Sequence, residues 1–273
     1  MTKKLYICLN KTNKNLEKMT NLFLPLVQDM QKVADVSSAL NFSFFIGCMA
    51  MMAASAFFFL SLNQFDKKWR TSILVSGLIT FIAAVHYYYM RDAAMAAEIA
   101  GGEVAKDFMK NLTAFRYVDW ILTVPLMCVE FYLILKVAGA TKSLMWKLIF
   151  LSVVMLVAGY YGEGDGDAVI WGTISGIAYF AIAYEIWLGG AAKLAKEAGG
   201  DVASAHKMLC WFVLVGWAIY PLGYMAGTDG WYGSAGQIAG MDLDMNVLYN
   251  IADAINKIGF GLVVYALACK KTS

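Results

Sequence analysis

Charge is what this chain has least of. Only 15% of its 273 residues are Asp, Glu, Lys or Arg, while 60% are hydrophobic. A soluble domain carries about a quarter charged residues and is about half apolar, so an ordinary soluble domain is excluded. Histidine is nearly absent, with two in the chain. The five cysteines are scattered: Cys8 lies near the start, and Cys48, Cys128, Cys210 and Cys269 fall inside apolar runs. Their spacings suggest neither a zinc site nor a disulfide framework, and no metal centre is expected. Cysteines within apolar segments usually serve as small hydrophobes. The net charge of +2 is too small to suggest a nucleic-acid partner. There is no internal repeat, soluble domain or low-complexity tail.

What remains is apolar length. About seven segments reach the roughly 20 residues that a membrane-spanning helix needs. They are Ala39–Leu62, Thr71–Met90, Phe115–Leu135, Leu144–Tyr161, Ala168–Leu188, Met208–Ala226 and Met245–Cys269. The expected fold is an all-α membrane protein, a seven-transmembrane-helix bundle read as one domain over residues 38–273, crossing the cell membrane and contacting its lipids. Residues 1–37 form an N-terminal tail; whether part of it is processed is open, since no apolar core followed by a small-residue cleavage site is present. The first, third and fifth connections and the C-terminus hold eleven basic residues: Lys67, Lys68, Arg70, Lys136, Lys142, Lys147, Lys193, Lys196, Lys207, Lys270 and Lys271. The even connections are acidic, with Asp92, Glu98, Glu103, Asp107, Glu163, Asp165, Asp167, Asp229, Asp242 and Asp244. The positive-inside rule then sets the N-terminus outside and the C-terminus in the cytoplasm. The six lysines of the tail run against that orientation. Most connections are short; the long second one, Arg91–Ala114, contains "AGGEV" and is expected to turn a hairpin on the outer face.

Six ionisable residues stand out inside the expected spans: His86, Arg116, Asp119, Glu130, Asp253 and Lys257. Such groups are rare in lipid and mark pathways or relays. Lys257 is 12 steps, or about 18 Å, from Met245 and 13 steps, or about 20 Å, from Lys270, which is the middle of the last span. Asp253 lies one turn away on the same face. The pair reads either as a structural ion pair or as a reactive amine with its counterion. A buried lysine can form a Schiff base with a carbonyl compound. In the third span, "FRYVDWILTVPLMCVEFYLIL", Asp119 and Glu130 are 11 residues apart, which returns to within about 20° of the same face about 16 Å further along. Thr123 lies between them and Arg116 one turn below. This stripe reads as a proton path with two carboxylates at different depths, or as polar contacts between helices. In the sixth span, "GWAIYPLGY", Trp217, Tyr220 and Pro221 read as pocket walls or as packing and a kink.

The combination of "RYVDWILTVPL", "GWAIYPLGY" and "YNIADAINKIGFG" resembles the microbial rhodopsins, in particular the proteorhodopsin and xanthorhodopsin group, over nearly all of the chain after Val36. The resemblance implies all-trans retinal bound to Lys257 as a protonated Schiff base. It implies Asp119 as primary counterion and proton acceptor, Asp253 as second counterion, Arg116 as organiser of the outer half and Glu130 as cytoplasmic proton donor. His86 would hydrogen-bond Asp119. Trp120, Thr123, Met127, Met155, Gly159, Trp217, Tyr220 and Pro221 would enclose the polyene, and Tyr249 and Asn250 match the family's start of the last helix. The triplet Asp119–Thr123–Glu130 implies an outward proton pump, and apolar Met127 implies green absorption. The family also implies a homo-oligomer, pentameric or hexameric. Phe45 departs from the proteorhodopsin pattern, which has Trp there. Gly172, in "IWGTISG", resembles the xanthorhodopsin window where a carotenoid antenna lies; with Gly176 it also makes a GxxxG packing motif, so the antenna stays open. The alternative function is a photosensory rhodopsin signalling through a membrane partner, for which Glu130 would be dispensable.

Overall fold

The computed structural model describes residues 38–100, 102–164, 166–227 and 245–272. The tail before residue 38 and the acidic residues Asp229, Asp242 and Asp244 lie outside them. Among the described residues all regular structure is helical: α1 Ala39–Ser61, α2 Lys67–Ala100, α3 Gly102–Leu135, α4 Lys142–Glu163, α5 Ala168–Trp187, α6 Gly190–Ala198, α7 Gly200–Trp211, α8 Ile219–Gly227 and α9 Met245–Thr272. Seven helical stretches are long and apolar enough to cross a membrane, the fifth made of α5 and α6 and the sixth of α7 and α8. This is the expected count.

Local chemistry sets the ends. Ser38 caps α1 by accepting the Asn41 N–H at 3.0 Å, and Asp167 caps α5 through the N–H groups of Val169 and Ile170. Gly139 closes the turn after α3 at φ 87°, in the left-handed region that glycine occupies at little cost. The second connection differs from expectation. Residues 91–100 and 102–114 are helical, so α2 and α3 run far beyond the apolar cores. The run "DAAMAAEIA" holds five Ala with one Met and one Glu, all strong helix formers, and it buries Ala94, Met95 and Ala97.

The sixth crossing is not a regular helix. Between α7 and α8 the backbone widens into a π-helical turn over Phe212–Gly216, a feature often found at functional sites. A Cβ at Gly216 would collide with the Asn256 side chain of α9, so glycine permits the close approach.

Helix α1 packs on α2, α2 on α3, α3 on α4 and α4 on α5, while α9 packs on α1, α2 and α7 and closes the ring. Polarity is inverted relative to a soluble protein. Phe150, Ile177, Phe180 and Leu60 face outward, whereas Arg116, Asp119, Glu130, Asn250, Asp253, Asn256 and Lys257 are buried inside. An apolar exterior suits hydrocarbon, and the buried charges mark the interior as the working part. Among the described residues, one end of the bundle carries Lys67, Lys68, Arg70, Lys136 and Lys142 and the other carries Asp92, Glu98, Glu163 and Asp167; they are the basic and acidic ends below.

Candidate functional site

On α9, Asp253 and Lys257 are one turn apart, and the Lys257 Nζ lies 3.1 Å from Asp253 Oδ2. It lies 2.5 Å from Asp119 Oδ2 on α3. All three side chains are at most 3% exposed. The two carboxylates differ in their other partners. Asp253 accepts hydrogen bonds from Tyr220 Oη at 2.5 Å, Tyr87 Oη at 3.0 Å and Trp120 Nε1 at 3.3 Å. Asp119 Oδ1 has no hydrogen-bond partner among the described residues.

The expected hydrogen bond from His86 to that oxygen is not formed. His86 Nδ1 is 4.0 Å from Asp119 Oδ1 and lies 2.8 Å from the Ile82 carbonyl of its own helix. Thr123 returns its hydroxyl to the Asp119 carbonyl at 2.9 Å, not to the carboxylate. Two residues on, Pro125 lacks the N–H that would bond the Ile121 carbonyl, so the middle of α3 is loosened where it passes the lysine.

Toward the acidic end, Arg116 Nη2 donates to Asn250 Oδ1 at 2.8 Å and to the Asn246 carbonyl at 3.3 Å. Its guanidinium lies 5.4 Å from the ring centres of both Phe44 and Tyr249. Asn250 in turn donates to Ser43 Oγ at 2.8 Å. Toward the basic end, Glu130 is fully buried and its Oε1 is 2.7 Å from Ser76 Oγ. The expected stripe Arg116–Asp119–Thr123–Glu130 is therefore one buried face of α3, each residue 2% exposed or less.

A cavity of about 660 Å³ runs from Lys257 between the helices. Of the expected walls, Trp120, Met127 and Met155 line it, as do Gly159, Trp217, Tyr220 and Pro221. Thr123 is not among its lining residues. Tyr117, Ser175 and Tyr179 line it too and were not singled out in the sequence. Gly159 is needed because a Cβ there would sit 2.9 Å from the Tyr117 hydroxyl. The cavity reaches Ile177 and Phe180, each 66% exposed, and so opens sideways on the lipid-facing surface. Gly172 and Gly176 both line it. They do not act alike: a Cβ at Gly172 would meet the Tyr224 ring at 2.7 Å, while Gly176 has nothing within 4 Å. Among the described residues, no side chain or neighbouring helix comes within 4 Å of a Cβ at Gly176, as the GxxxG packing alternative would need.

Sequence reading missed several partners. Ser76 belongs to a legible stripe, Ser72–Ser76–Thr80, at four-residue spacing. Glu163 was counted as a connection acid but accepts a hydrogen bond from Tyr117 at 2.8 Å. Glu185, a carboxylate inside the fifth apolar run, pairs with Lys147 at 2.5 Å and accepts the Gly190 N–H at 2.9 Å, fastening α6 to the bundle. Among the described residues no cluster of His, Cys, Asp or Glu is fit to hold a metal.

The chemistry available is narrow. An amine at one end of a mostly apolar cavity, with a carboxylate on each side, can condense with an aldehyde and keep the resulting cation neutralised. A third buried carboxylate, Glu130, 11 residues and about 16 Å from Asp119 along α3, can exchange a proton from the other side.

Known proteins share much of this sequence and its fold. The sequence model of a family described as bacteriorhodopsin-like protein matches residues 38–271. The green-light absorbing proteorhodopsin of Gamma-proteobacterium EBAC31A08 is 40% identical over 245 residues, covering 88% of this chain and 90% of that protein. The blue-light absorbing proteorhodopsin of Gamma-proteobacterium Hot 75m4 is 41% identical with the same coverage. Among solved structures, a blue light-absorbing proteorhodopsin from Med12 superposes with a TM-score of 0.66 at 38% identity, covering 86% of this chain and all of that one. Xanthorhodopsin, described as a light-driven ion pump with dual chromophore, superposes with a TM-score of 0.70 at 30% identity, covering 85% of this chain and 93% of that one.

Proposed function

The chain belongs to the bacteriorhodopsin-like family of multi-pass membrane proteins, and we propose that it is a light-driven outward proton pump, an ion transporter rather than an enzyme, with retinal carried on Lys257. The observation that carries this reading is the Lys257 amine held between Asp119 and Asp253 at one end of the cavity. Retinal is a long apolar aldehyde, and the residues present fit it: an amine to condense with, flat walls from Trp120, Trp217 and Tyr220, and a cavity of about 660 Å³, within the usual range for small-molecule sites. Bound as a protonated Schiff base, it would supply light absorption and an isomerisation that re-aims the nitrogen's proton. Lys257 Nζ in the structure stands for that nitrogen.

The protein's own residues then set direction. At rest Asp119 and Asp253 balance the charge on the nitrogen. Asp253 is committed to three donors, whereas Asp119 has one oxygen open. Asp119 is therefore the acceptor: its O–H bond forms as the N–H bond breaks. Arg116, anchored on Asn250 and Asn246, keeps a fixed positive charge on the acidic side of Asp119. Glu130 returns a proton from the basic side. Ser76 has a single hydroxyl hydrogen, and its Oγ is 3.1 Å from the Ser72 carbonyl and 2.7 Å from Glu130 Oε1. That hydrogen cannot point at both. Both bonds are made when Glu130 carries a proton and donates it to Ser76, as a waiting donor should. Moving one charge against 100 mV requires about 2.3 kcal/mol.

The basic end is the cytoplasmic one in this reading, and residues 1–37 are an extracellular tail. Apolar Met127 in the wall supports green absorption. The sideways opening supports a carotenoid antenna, for which Tyr224 would have to turn away from Gly172. The homo-oligomer, a pentamer or hexamer, rests on resemblance.

The test is the external pH of an illuminated, unbuffered suspension of cells expressing the protein with retinal. Acidification abolished by a protonophore is expected. No change in coloured cells would favour a sensor, and alkalinisation enhanced by the protonophore would mean that another ion is carried.

A further inference from the structure

Ser72, Ser76 and Thr80 lie on one face of α2 and are 0%, 1% and 0% exposed. Ser76 and Thr80 return their hydroxyls to the carbonyls one turn back, at 3.1 and 3.0 Å, the usual habit of helical Ser and Thr. Ser72 does not: its Oγ has no hydrogen-bond partner among the described residues. Leaving a buried hydroxyl unpaired is costly. Glu130 Oε2 is a second such atom. The two are complementary. With the proton of Glu130 on Oε1, Oε2 is a carbonyl oxygen that needs a donor, and Ser72 has a donor that needs an acceptor. Both belong to residues that Ser76 Oγ meets: it lies 2.7 Å from Glu130 Oε1 and donates to the Ser72 carbonyl at 3.1 Å.

We propose that Ser72 Oγ and Glu130 Oε2 together bind one ordered water, and that Glu130 recovers its proton through this site. The inference rests on the donor reading given above. Ser72 stands one turn from Ser76 toward the basic end, two to five residues from Arg70, Lys68 and Lys67. The site therefore lies on the side from which Glu130 must be resupplied. After Glu130 has given up its proton, the carboxylate takes one from the bridging water. The water takes the Ser72 hydroxyl proton, and Ser72 takes one from water at the basic end. One O–H bond breaks and one forms at each hop, and bulk water is the source. Ser72 is a positioning residue for Glu130, not a group that meets the chromophore.

The experiment uses the full-length pigment with retinal, and variants Ser72→Ala, Ser72→Thr and Glu130→Gln. A normal visible band in each variant checks that it folds. The static readout is the infrared carbonyl stretch of protonated Glu130, identified by its loss in Glu130→Gln. In Ser72→Ala the stretch should rise, because Oε2 loses its donor, and proton uptake followed with a pH dye should slow about three- to tenfold. Ser72→Thr should restore both. A stretch unmoved in Ser72→Ala, or one that Thr fails to restore, overturns the water site while leaving Glu130 as donor. Absence of any Glu130-dependent carbonyl band overturns the donor reading itself.

Discussion

Replacing Glu130 by Gln keeps the shape of the side chain and removes only its acidic proton. Gln can still meet Ser76, so packing around a fully buried position is preserved. Two consequences can be sized. A charged carboxylate about 16 Å from Asp119 would act on the site with about 1 kcal/mol at an effective dielectric constant of 20. In the proposed reading Glu130 is neutral at rest, so the visible band of Glu130→Gln should not move. The return of the proton to the Lys257 nitrogen then loses its general acid, which is commonly worth 10²–10⁴ in rate. Flash photolysis should show that step slowed about 100-fold, an added barrier of about 2.7 kcal/mol. A small weak acid such as azide should restore it by carrying protons in from the medium. An unchanged rate would remove Glu130 from the donor role. A slow step that azide does not restore would mean that the variant distorts the path and that the reasoning from Ser76 is wrong.

Lys257→Ala should give a protein that folds but takes no colour with added retinal; a visible band would place the attachment elsewhere. Asp253→Asn removes a charge near the nitrogen and leaves fewer acceptors for Tyr220, Tyr87 and Trp120. It should shift absorption to longer wavelength and cost about 1–3 kcal/mol, read as faster thermal bleaching. Gly162→Ala should destabilise by about 1–3 kcal/mol, because its Cβ would overlap the Tyr224 hydroxyl and force it to move. Gly176→Ala, with nothing within 4 Å, should leave bleaching unchanged; equal losses in both variants would refute this account of the two glycines.

The site was legible where chemistry is forced by the solvent. In lipid a charge needs a reason, so Lys257, Asp253, Asp119 and Glu130 announced themselves by type and by position along an apolar run. Helical spacing alone was enough to align Arg116, Asp119, Thr123 and Glu130 on one face. Residues whose polarity is unremarkable in a helix did not stand out. Ser76 and Tyr87 matter because α2 is packed against α3 and α9, a fact that no local spacing contains. His86 shows the converse. The family resemblance implied a hydrogen bond to Asp119, yet a carbonyl of its own helix lies closer than the carboxylate.

Seven apolar runs in 273 residues by themselves determined a helical membrane bundle, because a backbone in hydrocarbon must satisfy its hydrogen bonds within each segment. The sequence likewise determined where along each helix the ionisable groups fall, since a helix has a fixed rise and twist. Which groups meet across helices was decided only by tertiary packing. The unequal surroundings of Asp119 and Asp253, the bond between Glu130 and Ser76, and the π-turn at Phe212–Gly216 over Asn256 all depend on how α2, α3, α8 and α9 pack against one another. Helical periodicity fixes neighbours within a helix; the partners of a buried charge are set by the ring of helices around it.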